Sequence, residues 1–149
     1  MITIDNQQNF LESPLLERAA RYTLELIAPE KIDADITIVL TDDRQLHELN
    51  KEFLDVDSPT DVLSFPASEP DPETGSVYLG DILISIPRAA QQAQSAGHPL
   101  EAEVQLLTVH GTLHLLGFDH ASDEEKAVMW NEQAKVLERI GLSRIKIQE

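Results

Sequence analysis

Three of the five histidines fall within eleven residues, His110-Gly-Thr-Leu-His114-Leu-Leu-Gly117-Phe-Asp-His120. On a helix, four residues turn through about 400° and rise about 6 Å, so His110 and His114 present their imidazoles on one side, one turn apart. That spacing lets two ring nitrogens reach one ion at about 2.0–2.1 Å. Gly117 suits a left-handed helix end, after which the chain folds back and His120 supplies a third ligand. Three protein ligands with a fourth position for water is the pattern of a catalytic zinc site. Copper and nickel also bind imidazole sets, so zinc (Zn2+, one ion) is the default metal. The surrounding residues, Val104, Leu106, Leu107, Val109, Leu113, Leu115 and Leu116, are apolar, and imidazoles buried there without a ligand would cost desolvation.

The same spacing occurs in metzincin peptidases, which place Glu directly after the first His as general base. Here that place is Gly111, which has no side chain. Peptide hydrolysis by that route lacks its base. A chelator-sensitive peptidase is accordingly the weakest of three readings.

The eleven-residue run resembles the signature of the YbeY endoribonucleases, or rRNA maturation factors: His-Gly-x-Leu-His-Leu-x-Gly-[Tyr/Phe]-Asp-His. Two further segments are similar to that family: Leu49-Asn50 with Pro59-Thr60-Asp61-Val62-Leu63-Ser64-Phe65-Pro66, and Leu79-Gly80-Asp81-Ile82-Leu83-Ile84-Ser85. The resemblance implies a zinc-dependent, single-strand-specific endoribonuclease acting in ribosomal RNA processing and ribosome quality control. It implies His110, His114 and His120 as metal ligands. The implied partners are single-stranded ribosomal RNA, the small ribosomal subunit and its basic proteins. The competing reading is a non-catalytic ribosome assembly factor with a structural zinc. Some family members carry Arg where this chain has Leu54. A phosphate contact would then fall to another cation, such as Lys51, Arg44 or Arg88.

A carboxylate base could come from Asp119, Asp123 or Asp81, and none is assigned. Asp119 adjoins a ligand and suits holding His120 or a backbone group. Asp123 suits the helix dipole, and Asp81 faces either a cleft or a sheet edge. Thr60-Asp61 reads as turn chemistry and Ser64 as a small residue. His47 reads as solvated, His98 as a loop residue, and Trp130, with Ala127, Ala134 and Leu137, as core packing.

The elements that must position the histidines are legible from periodicity and punctuation. Ile2–Asn6 alternates as a strand. Ser13-Pro14 opens a helix as cap and first residue, with Leu15, Ala19, Tyr22 and Leu26 at helical spacing and Pro29 ending it. Asp35–Leu40 is a β-branched strand, and Thr41 caps a helix running to about Phe53, with Asp42 and Asp43 in its first turn. Val62–Phe65 is a short strand stopped by Pro66. Glu69 to Gly75 is a Pro-rich acidic connection expected to move freely. Val77–Ile86 is the longest strand. Helices follow from Pro87 to Gly97, from Pro99 to Gly117, and from the capping box Ser122/Glu125 to Gly141. The order β-α-β-α-β-β-α-α-α predicts one α+β domain over residues 1–149. It has a mixed sheet of about four strands, partly parallel with one antiparallel strand, packed with about five helices.

Composition narrows the partners. The chain has 149 residues, a formal net charge of −16 and no cysteine. Disulfides, zinc fingers, iron–sulfur clusters and thiol catalysis are excluded, so imidazoles and carboxylates must serve any metal. The charge argues against broad electrostatic binding to nucleic acid or anionic membranes. Five of the eleven cations (Lys126, Lys135, Arg139, Arg144, Lys146) lie at the C-terminal end, a pattern read as helix-end pairing and a solvated face. No signal peptide or membrane span is read, which points to the cytoplasm.

Overall fold

The computed structural model describes residues 1–67, 73 and 77–145. Most of the acidic connection read over 69–75, together with Lys146, lies outside the described residues. The elements are β1 (Ile2–Asn6), α1 (Ser13–Ile27), a 3-10 turn (Pro29–Lys31), β2 (Asp35–Thr41), α2 (Asp43–Leu54), β3 (Val62–Pro66), β4 (Tyr78–Ser85), α3 (Ile86–Ala96), α4 (Leu100–Leu115) and α5 (Asp123–Arg139). The sheet runs β1-β2-β4-β3, with β1, β2 and β4 parallel and β3 antiparallel at one edge. The expected mixed four-stranded sheet and five helices are thus present.

Alternation along the strands separates two faces. Ile36, Ile38 and Leu40 of β2 with Ile82 and Ile84 of β4 meet α1, α3 and α4 in the main core. Val39, Leu63, Phe65 and Leu83 form the other face, under Leu46 and Leu49 of α2. A second apolar layer joins Ala19 of α1, Leu106, Val109 and Leu113 of α4, and Met129, Val136 and Leu137 of α5. Helix α4 is therefore wrapped by sheet and helices, which explains why it is apolar all round rather than amphipathic. Its buried threonines are satisfied locally: Thr108 and Thr112 donate to the carbonyls four residues back at 2.8 and 2.7 Å.

Several boundaries differ from the sequence expectation. The N-cap of α2 is Asp42, whose carboxylate accepts from the Gln45 N–H at 2.9 Å, while Thr41 continues β2. Both residues are good caps, and pairing of Thr41 with Ser85 on β4 decides between them. Ser13 is the first residue of α1 rather than its cap. The buried stripe of α1 is Leu16, Ala19, Ala20, Thr23 and Leu24, and Leu26 is exposed. Pro66 belongs to β3, paired with Gly80, because an edge strand tolerates a missing N–H on its open side. At Gly80 φ is +137°, and a Cβ there would stand 2.2 Å from the Phe65 carbonyl oxygen, so no other residue fits this close approach of β3 and β4.

Candidate metal centre

Helix α4 carries His110 and His114 to its C-terminal end, and the turn at Gly117, with φ at +101°, reverses the chain toward His120. Their ligand atoms all lie within 4.8 Å of one another, a group that could hold a metal ion. The Nε2 atoms of His110 and His114 are 3.2 Å apart. Two nitrogens each about 2.0–2.1 Å from one tetrahedral ion stand roughly 3.3 Å apart, so this pair fits an ion without rearrangement. The donor set, three imidazoles and no thiolate, also suits zinc.

The rings are held by groups remote in sequence. His110 is buried, and its Nδ1 lies 2.9 Å from Oε1 of Gln133 on α5. An amide oxygen only accepts, so Nδ1 carries the proton and Nε2 keeps its lone pair for a ligand. His114 is hydrogen-bonded to the Phe118 backbone, and Oδ1 of Asp119 accepts from the His120 backbone N–H at 2.8 Å. Burial lowers the His110 pKa to about 4, against the opposing hydrogen bond from Gln133. Burial, followed by the charge of His120, lowers that of His114. Both rings are thus neutral, as a ligand must be, across the physiological range. Trp130 of α5 stands edge-on to His110 and His120, at 5.7 and 5.6 Å between ring centroids.

The histidines open onto a cavity of about 740 Å³ between the end of α4, strand β3 and the end of α2. Its wall includes Asn50, Leu54, Thr60, Asp61, Ser64, Phe118 and Asp119, and among the described residues no lysine or arginine. Arg88 makes a two-pronged pair with Asp43 at 2.7 and 2.8 Å, and Arg44 pairs with Glu48 at 3.2 Å. Neither they nor Lys51 line the cavity.

The other sequence candidates sort by position. Asp81 pairs in register with Phe65, on the sheet face away from Ser64 and Gly111, and accepts from the Tyr78 hydroxyl. It is therefore excluded as a base at the histidines. Asp123 is the first residue of α5, behind the Ser122 cap. Asp61, read as turn chemistry, instead lines the cavity, and burial raises its carboxyl pKa. His98 is more than a loop residue: its ring meets the fully buried Glu103 carboxylate at 2.8 Å. His47 pairs with Asp57 at 2.7 Å on the surface. Trp130 packs against the core layer that includes Leu137, as expected, and also flanks the histidines, while Ala127 and Ala134 are exposed. Gln133 was missed, since a lone glutamine carries no signal along the chain, and Asp61 was read only as turn chemistry.

Gln133→Leu is expected to keep the fold and lower metal affinity about 10–100-fold, because the His110 ring loses the acceptor that fixes its tautomer. Competition against a chromogenic zinc chelator measures it, and unchanged affinity would remove Gln133 from the site.

The comparisons with known proteins agree with this geometry. The family described as Endoribonuclease YbeY matches residues 2–141. A relative named Endoribonuclease YbeY from Brevibacillus brevis is 43% identical over 152 residues, covering 94% of this chain and 91% of its own. One of the same name from Pelotomaculum thermopropionicum is 42% identical over 133 residues, covering 87% of each chain. The solution structure of TM1509 from Thermotoga maritima superposes with a TM-score of 0.64 at 30% identity, over 98% of this chain and 97% of that one. The histidine-bearing helix, the sheet that seats it and the match over nearly the full length together establish that this chain belongs to the endoribonuclease YbeY family.

Proposed function

We propose that this chain is a zinc-dependent endoribonuclease that cuts single-stranded RNA during ribosomal RNA maturation and ribosome quality control. The observation that carries the reading is the convergence of His110, His114 and His120 on one cavity in a member of this family. In this reading the whole chain, 1–149, is a single metal-dependent hydrolase domain, and the three histidines hold the ion. When bound, the ion supplies a Lewis acid for the scissile phosphate and acidifies water or a ribose 2′-hydroxyl. The chain's own contribution is positional. Gln133 and the Phe118 backbone orient two imidazoles, Trp130 screens their flank, and Asp61 adds a carboxyl whose hold on a proton is strengthened by burial.

The cation-free wall bears on how RNA is held. Substrate affinity is expected to be low, with a shallow salt dependence. Two or three phosphate contacts on a single strand correspond to a log–log slope of about −2. A basic protein of the small ribosomal subunit fits the −16 charge as a co-ligand that brings the RNA. The cytoplasm is the proposed location; among the described residues no helix is long and apolar enough to cross a membrane.

The test is cleavage of a defined RNA by the purified protein. The single strand is expected to be cut with zinc, left intact with chelator, and cut again on adding zinc back, while its duplex persists. Filter binding against salt checks the slope; a slope near −6 would contradict a wall without cations. Assembly of small-subunit precursors without cutting would instead support the non-catalytic reading.

A further inference from the structure

Among the described residues strand β3 has one neighbour, β4. Its pairing with β4 is antiparallel, and the Ser85 N–H donates to the Asp61 carbonyl at 3.0 Å, while the Ala67 N–H donates to the Leu79 carbonyl at 2.8 Å. In such a ladder alternate residues bond to the neighbour. Residues 61, 63, 65 and 67 therefore spend their backbone groups on β4, and Val62, Ser64 and Pro66 turn theirs to the open side. That open side faces the cavity. Asn50 and Leu54 belong to the α2 side of the sheet and His110 and His114 to the α4 side, so a cavity touched by all four passes along the β3 edge. Among the described residues the Ser64 N–H and carbonyl have no partner, and the Val62 carbonyl has only the Thr60 hydroxyl at 3.5 Å. The Val62 carbonyl and the Ser64 N–H point the same way as an acceptor–donor pair, on residues that line the same cavity as the imidazoles.

We infer that the open edge of β3 binds an unpaired nucleobase of the RNA by its Watson–Crick edge, through the Val62 carbonyl and the Ser64 N–H. This rests on the ribonuclease reading and names what that site recognises. Each base offers an adjacent donor and acceptor on that edge, so a backbone pair of this kind senses whether a base is free rather than which base it is. A base already paired in a duplex has nothing left to offer, which makes the edge a physical source of single-strand preference. Leu54 on the cavity wall, with Phe53 and Val56 beside it, is 52%, 61% and 45% exposed respectively, an apolar lip against which the flat face of a base loses little by desolvation. An extended peptide is the other ligand that sheet edges accept, but this edge is poorly made for one. It offers outward groups at three residues, and the last, Pro66, has no N–H. The run is too short for strand addition and long enough for one base. With no cation among the described residues of the wall, base contacts of this kind also replace the affinity that phosphate contacts would otherwise supply.

The test has a binding arm and a cleavage arm. In metal-free, 15N-labelled protein, a short oligouridylate is expected to shift the Ser64 amide resonance, and the same oligomer built from 3-methyluridine is expected not to. The methyl group removes the N3–H that meets the Val62 carbonyl; 5-methyluridine, altered on the opposite edge, serves as the control and should behave as uridine. With zinc, one 3-methyluridine adjoining the cut is expected to slow cleavage about tenfold or more. Ser64→Pro, which removes the N–H as Pro66 already does two residues on, should lose that penalty, and Ser64→Ala should keep it. An unshifted Ser64 amide together with cleavage indifferent to 3-methyluridine overturns the inference while leaving the ribonuclease reading intact. Absence of cleavage by the wild type counts against the ribonuclease reading, and the amide shift still decides the edge. Competition by an extended basic peptide at the Ser64 amide, without any uridine effect, would assign the edge to polypeptide and overturn the proposal.

Discussion

His114→Ala is expected to abolish zinc-induced stabilisation and RNA cleavage together, with the fold retained. His114 is the middle ligand of the proposed set: its Nε2 is 3.2 Å from that of His110, and its ring centroid is 5.0 Å from that of His120. Removing it leaves two imidazoles, one on the exposed turn after Gly117, which is too few for a stable catalytic zinc site. In the wild type, zinc at a thousand times its dissociation constant contributes about 4 kcal/mol to the folded state. For a domain of this size that raises Tm by about 10 °C. The variant should show almost none of this shift. Its metal-free Tm should fall by only a few degrees, because His114 is partly exposed and sits at a helix end rather than in the core. Calorimetry with and without zinc, together with the cleavage assay, checks both halves. A variant that still gains 10 °C, or still cuts, would dismiss His114 as a ligand.

The second large effect concerns the place where metzincin peptidases carry their catalytic glutamate. Gly111→Glu is expected to unfold the protein rather than to create a peptidase. A Cβ at this position would stand 2.7 Å from Ile82 Cγ2 and 3.2 Å from Ser64 Oγ, and the Gly111 carbonyl accepts from that hydroxyl at 3.1 Å. The residue lies where α4 presses on β4, so a longer side chain meets sheet, not cavity. A carboxylate driven into this contact adds burial of an unpaired charge, at several kcal/mol, to the overpacking. That sum is comparable to the whole stability of a small domain. Gly111→Ala separates the two causes. Overpacking costs about 1–3 kcal/mol, and the gain in helix propensity returns up to about 1 kcal/mol, so a net loss of about 1–2 kcal/mol is expected by urea unfolding. A stable, peptide-cleaving Gly111→Glu protein would show that the glycine marks a missing base and not a packing requirement.

The histidine spacing and the order of elements were legible because they depend on neighbours along the chain. An i, i+4 pair shares a helix face wherever that helix sits, and Gly117 and Ser122 act on the turns beside them. The β-branched run of β2 announced a buried strand for the same reason. Local signals failed where two neighbours were equally suited, as with Thr41 and Asp42 at the start of α2. There sheet pairing across to β4 made the choice.

What only the tertiary structure decided is the environment of those histidines. Gln133 lies 23 residues from His110 on another helix, and its role depends on how α5 crosses α4. Trp130 packs on the core layer as expected, and the same crossing also brings its ring against His110 and His120. Asp61 became a cavity carboxyl, and Asp81 was removed to the far face, through the register of β3 against β4. Even Gly111, read as an absent base, has its meaning from Ile82 and Ser64, which no pattern along the helix reveals. The sequence by itself determined which side chains could take a metal, because ligand chemistry and helical spacing are local. The tertiary structure decided how those side chains are oriented, dried and opened to a substrate, because contacts between segments distant in the chain set each of these.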